Sequence, residues 1–260
     1  MDFLERVRAH HIYVKSLASE HNDYQVLFTA AIGSQNYGLA TEESDCDTFT
    51  IVLPNYMDFI SKTNLISFET EVSDGKCVVK DLRLMMNLLR KTSPNSIEVF
   101  ASHYKVFEPE YQELELRFFN PDTLYYLIHA NCKHMLNAAL GMAKQVHGRN
   151  MSEGKRYSHV LRMYNMVLQF LHNPYANQIL SFYHQNDLEE AKRAKNDNTD
   201  TDYSIKEKKV EDALAAIVDS SENTPITQSV EYTAGCTINR LQFEFTRIYL
   251  ENNKFKYMEL

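Results

Sequence analysis

Two aspartates one residue apart, Asp45 and Asp47, are the residues of this chain best placed to do chemistry. They lead into DTFTIVL (47–53), an apolar, β-branched run that predicts a buried strand closed by Pro54. Residues two apart on a strand face the same way, so the two carboxylates point together while Cys46 turns to the other side. Carboxylates held side by side repel each other unless a cation sits between them. Magnesium takes oxygen ligands of this kind and keeps positions open for phosphates. Upstream, QVLFTAAI (25–32) predicts a second buried strand that ends abruptly in Gly33-Ser34. Glycine lets the backbone come close to a ligand, and its N–H groups and the serine hydroxyl can donate to phosphate oxygens. A solvated turn is the plainer reading of Asp-x-Asp after Ser44. The Gly-Ser element and a buried strand on each side weigh against it.

The longer string GSQNYGLATEESDCD resembles the GS-x-x-YG-x-x-x-x-x-SD-x-D signature of the RlaP-like predicted nucleotidyltransferases, the RNA-repair-pathway branch of the DNA polymerase β superfamily. Two further stretches agree. KDLRLMMNLLRKTSPNSIEVF is similar to that family's acidic residue, apolar helix and NPN-x-x-E segment, with Ser93 where the family commonly has Asn. KRYSHVLRMYNMVLQFL resembles its K-x-x-x-H-x-x-R helix, and the likeness runs from Val26 to Leu171.

The resemblance implies an α+β protein: a small mixed sheet with helices in the nucleotidyltransferase fold, followed by a helical C-terminal half. It also implies magnesium-dependent transfer of a nucleoside monophosphate from a triphosphate to a hydroxyl, with release of pyrophosphate. Two ions, with manganese able to replace magnesium, would be held by Asp45, Asp47 and a third carboxylate, Asp81. An N-cap role for Asp81 is equally expected, and Glu69 and Glu71 are its rivals. Gly33 and Ser34 would cradle the phosphates, and Tyr37 would stack on the base, although an aromatic in a loop more often simply packs. The acceptor would be an RNA end or, alternatively, a protein hydroxyl. A non-catalytic nucleotide-binding module is the competing class, and a pure sensor has no need of both metal carboxylates.

The elements that must position these residues are legible in outline. A helical first twenty residues, four strands (25–32, 47–53, 66–71, 76–80) with a turn at 73–75, and a helix over 82–89 broken by Ser93-Pro94-Asn95 make up an expected domain over 1–118. Helices over 122–146, 155–171, 179–195, 205–218 and 237–252 make up a second, over 119–260, with a polar loop at 195–204. At 100° per residue, Lys155, His159 and Arg162 share an arc of about 60° opposite Tyr157, Val160, Leu161, Tyr164, Val167, Leu168 and Leu171. A solvated face would satisfy that pattern. The family likeness, and the scarcity of positive charge, predict instead that this face closes over the cleft and meets the triphosphate.

Composition bounds the rest. The chain has 260 residues, 44% of them apolar, and a net charge of −8. That excludes disorder and coiled coil for the whole, and a surface that grips nucleic acid everywhere. The four cysteines form no C-x-x-C pair and predict reduced thiols. No secretory leader or membrane span is expected, which predicts a cytoplasmic protein.

Overall fold

The computed structural model describes residues 2–21, 24–61, 65–72, 74–129, 131–173, 178–221 and 228–253. A long helix, α1 (Phe3–His21), precedes β1 (Tyr24–Ala31), β2 (Thr48–Pro54) and a short α2 (Tyr56–Ser61). The hairpin strands β3 (Ser67–Val72) and β4 (Gly75–Asp81) follow, then α3 (Leu82–Arg90), α4 (Pro94–Ala101) and a three-residue β5 (Lys105–Phe107). The strands form one mixed sheet in the order β3-β4-β2-β1-β5. Its central strand β2 pairs antiparallel with β1 and parallel with β4. Every residue of β2 is buried, the pattern of a strand covered on both faces.

The covering is sorted by parity. Val52 joins Val14 of α1, Val26, Cys77 and Val79 on one face. Phe49, Ile51 and Leu53 face the main core on the other, with Leu82, Met85, Met86 and Leu89 of α3. The mixed sheet with a helical second half is the α+β architecture that the sequence predicts.

That second half comprises α5 (Gln112–Phe118), α6 (Pro121–His129), α7 (Cys132–Gln145), α8 (Glu153–His172), α9 (Gln185–Asn196), α10 (Ser204–Ser221) and α11 (Gln228–Asn253). The single helix expected over 122–146 is two, because Asn131 caps the start of α7 by accepting from the His134 N–H. Residues 179–184 lie outside α9. They are held by the buried Asn165 of α8, whose side-chain oxygen accepts the Tyr183 and His184 N–H groups and so fixes where α9 begins. The last helix returns to the first half: Phe245 stacks on Phe28, and the Tyr249 hydroxyl donates to the Pro54 carbonyl. Among the described residues no helix is long and apolar enough to cross a membrane, and the four cysteines are unpaired.

Candidate functional site

The ladder between β1 and β2 brings the two signature pieces together. Ala31 pairs with Thr48, and one step further the Ile32 N–H donates to the Asp47 carbonyl at 2.9 Å. Gly33 therefore stands directly beside Asp47. Its φ of +86° is the left-handed side of backbone space, and a Cβ there would lie 3.9 Å from the Asp47 Oδ2. Asp45 and Asp47 sit just ahead of β2 and both line one cleft, while Cys46 between them is fully buried against Val7 and Ala31. The alternation read from the sequence holds.

The cleft encloses about 690 Å³. Ser34, Asp45, Asp47 and two carboxylates that sequence reasoning passed over, Glu42 and Glu43, form one wall. Lys155 of α8 and Lys195, Asn196 and Asn198 at the end of α9 form the other. Burial pushes the Asp47 carboxyl above its ordinary range; the neighbouring Asp45 adds to that, and the Lys76 N–H at 3.1 Å opposes it. Lys195 is pulled down by burial and by the nearby charges of Lys155 and Arg162, and it donates to the Leu39 carbonyl and to Ser44 Oγ. Both lysines follow the closest contact of their helices. A Cβ on Gly154 would lie 2.0 Å from the Ala194 carbonyl oxygen, so only glycine lets α8 and α9 approach this far.

Behind the Gly-Ser turn lies a residue named in no sequence-level role. Glu98 of α4 is buried, and its carboxylate accepts from the Gly33 N–H, the Asn36 side chain and the Tyr37 hydroxyl. Burial raises its pKa, and Arg162 opposes the rise. The only signal for it was the Asn-x-x-Glu of the segment read as a break. Ser93-Pro94 there starts a helix instead, proline being preorganised for the first helical position.

This network corrects two expectations. The Gly33 N–H is spent on Glu98 and is not free to donate to phosphate; what Gly33 offers is its left-handed conformation and its closeness to Asp47. Tyr37 is 4% exposed, and the Arg162 guanidinium covers its ring at 4.3 Å, so the ring is not open to stack on a base.

Of the basic trio, Lys155 reaches the cleft wall and Arg162 reaches the loop through Tyr37. His159, half-buried between them, is pushed down to about 2 by burial and the charges of Arg162 and Arg149, and is therefore neutral. The helix is not a two-faced one with a solvated side: Ser158, Met163, Asn165 and Gln169 are buried as well as most of the apolar stripe, whose Tyr164 is half-buried and whose Leu171 is exposed.

Asp81 is not brought to the pair. It is opposite Val52, five positions along β2 from Asp47. At about 3.3 Å per residue that is about 16 Å. It also shares the parity of Cys77 and Val79, whereas Asp47 shares that of Phe49 and Ile51. Its carboxylate is fully buried, accepts the Arg83 N–H at 2.8 Å as the cap of α3, and pairs with the Arg83 guanidinium through both oxygens. The capping alternative is the one observed. Glu69 and Glu71 lie on β3, with β4 between them and β2.

Among the described residues one trio of ligand atoms clusters tightly, His10, Cys46 and Asp74, all within 4.8 Å of one another. It sits behind the carboxylate pair, on the α1 face. Arg6 already pairs with Asp74 there, and His10 is hydrogen-bonded to it, so the cluster is internally satisfied.

A family model described as RlaP, the RNA repair pathway DNA polymerase beta family, matches residues 8–225. The chain belongs to that family. Its RlaP membership makes it a nucleotidyltransferase of the DNA polymerase β superfamily, with a general role in nucleotidyl transfer. A nucleotidyltransferase-like protein from Exiguobacterium sibiricum is structurally similar, with 11% identity and a TM-score of 0.29 over 96% of this RlaP chain and 91% of that one. No curated protein matches the sequence.

Proposed function

We propose that this protein moves a nucleoside monophosphate from a triphosphate to the hydroxyl of an RNA end, in the cleft between Asp45–Asp47 and the ends of α8 and α9. One observation carries the reading. Lys155, Arg162 and Lys195 make no ion pair with any described carboxylate, in a chain with 35 acidic and 27 basic residues. Lys155 and Lys195 line the cleft with Asp45 and Asp47, and Arg162, whose charge also acts on buried Glu98, stands behind them; such a set is complementary to a polyanion that brings its own divalent metal.

The donor set fits magnesium. It is all oxygen, and the Asp47 carboxyl is driven up by burial and by Asp45, a strain that a bound cation relieves. Asp45 and Asp47 would hold the metal, which when bound supplies charge to the attacking and leaving oxygens. The chain does the remainder. Lys155 and Lys195 bind phosphate oxygens as point charges, Arg162 offers a planar fork, and the Ser34 hydroxyl donates from the opposite wall. Glu98 keeps the Gly-Ser turn in place while this happens, and neutral His159 can accept or donate one hydrogen bond without adding charge. An RNA end is the acceptor favoured by the family's description. The acidic Glu42 and Glu43 suit a single strand terminus better than a long groove.

Incubation with each α-labelled triphosphate and magnesium, first alone and then with total RNA, tests this. Label on RNA is the expected result. Label on the protein itself would move the acceptor to a protein hydroxyl, and label nowhere would overturn catalysis.

A further inference from the structure

The trio behind the aspartates is the centre of a larger network that ties the Asp45–Asp47 segment, through Cys46, to two elements that carry no chemistry of their own, α1 and the β3–β4 turn. Asp74, in the β3–β4 turn, accepts the Cys46 N–H on its carbonyl at 2.8 Å. Its carboxylate takes Arg6 Nε on Oδ2 at 2.5 Å and faces His10 Nε2 through Oδ1 at 2.7 Å. Arg6 forks: its Nη2 donates to the Ser44 carbonyl at 3.1 Å. The carboxylate is held well below its ordinary range by Arg6 and His10 against the pull of burial, so it only accepts. His10 Nε2 thus faces that carboxylate, and its Nδ1 lies 2.9 Å from Thr48 Oγ1.

These bonds reach Ser44, Cys46 and Thr48, the residues that alternate with Asp45 and Asp47. The start of β4, just after that turn, adds the Lys76 N–H on Asp47 Oδ1. Gly75 presses on the loop so closely that a Cβ would lie 2.4 Å from the Cys46 carbonyl oxygen. Asp45 itself is exposed and Asp47 half-buried. Backbone-directed bonds from behind are thus the main fixtures of a segment whose two carboxylates repel each other.

We infer that Arg6 and Asp74 are positioning residues, which with His10 brace the Ser44–Thr48 backbone so that Asp45 and Asp47 meet one divalent cation at the same time. This rests on the proposed metal-binding role of that pair and adds to it a clamp from the N-terminal helix. Partners that orient metal ligands without touching the metal typically change metal affinity by about 10–100-fold when removed.

The experiment is manganese binding, followed by the electron paramagnetic resonance of free Mn2+, on the full chain with and without a non-hydrolysable triphosphate analogue. Melting curves on the same samples keep every titration below the unfolding range. Wild type should bind, and Asp47→Asn should not. Arg6→Ala and Asp74→Asn should bind Mn2+ at least about 10-fold more weakly, yet bind the analogue without metal as wild type does, since the cation wall is untouched. Arg6→Lys should stay weak, because a point charge cannot fork between Asp74 and Ser44. If Arg6→Ala does not fold, the isosteric Asp74→Asn carries the test. Variants that melt earlier but bind Mn2+ like wild type would overturn the clamp while leaving the proposed function standing. Wild type that binds no more Mn2+ than Asp47→Asn would sink the metal assignment, and the clamp with it.

Discussion

The guanidinium of Arg162 lies 4.3 Å from the ring centre of Tyr37, and its Nε is buried with no hydrogen-bond partner. Tyr37 is in turn bonded to Glu98, which holds Gly33. An arginine is thereby parked flat on the phosphate-side loop with donors unspent. Arg162→Ala should weaken binding of a non-hydrolysable triphosphate by at least about 1.5 kcal/mol, the lower range for a hydrogen bond to a charged group. Arg162→Lys should recover only part, because lysine neither stacks nor forks. Calorimetric titration checks both.

Asp45→Asn and Asp47→Asn should abolish transfer and leave the fold intact. For Asp47 the pH dependence has a definite sign. Its carboxyl titrates above the ordinary 3.8 because of burial first and the charge of Asp45 next, so folding favours the protonated form. Metal-free stability is then lost as pH rises through that window and stays lower above it. Asp47→Asn should melt higher than wild type at neutral pH without metal, and the gain should vanish on acidification toward 3.8. A variant that melts lower at neutral pH contradicts this.

Asp81 makes the contrasting case. Asp81→Asn keeps the cap on α3, since Asn and Asp rank together there, but loses the paired contact to Arg83. Stability should fall by about 1–3 kcal/mol, the cost of leaving a charged partner unsatisfied. Transfer by the folded fraction should survive, and a stable but inactive protein would reinstate Asp81 in the site.

Gly154→Ala tests the cation wall. The added methyl meets the Ala194 carbonyl and must push α8 and α9 apart. Overpacking of this kind costs about 1–3 kcal/mol. Because Lys155 and Lys195 adjoin that contact, triphosphate affinity should drop as well. Affinity unchanged despite a lower melting temperature would detach the lysines from the helix crossing.

Much of the site was legible because its first half is local. Gly33-Ser34 and Asp45–Asp47 are joined by one turn, and strand alternation alone assigns Cys46 to the far face. Asp81 was misplaced because strand register does not show in one sequence: parallel pairing of β2 with β4 carries it to the wrong end of the sheet. The Ser93-Pro94-Asn95 breaker ends one helix and also begins the next, and that hid Glu98. Lys195 was invisible for a different reason. Its bond to Ser44 spans 151 residues, and no local pattern points across that distance.

That span has a consequence for how the molecule comes into being and how it breathes. The carboxylate wall closes through contacts within the first part of the chain. The cation wall exists only once α8 and α9 have packed and Lys195 has reached back to Ser44 and Leu39. Contacts between residues so distant in sequence raise the loop-closure cost and slow folding. The seam is also held by apolar packing, with Tyr37, Leu39, Tyr157, Leu161 and Ala194 in one buried core, so what stays open to water is its charged cleft. On the proposed reading a bound triphosphate would bridge the two walls. It would therefore act as a further fastener, and amide exchange around Ser44 and Lys195 should slow far more on binding than exchange in the buried strand β2.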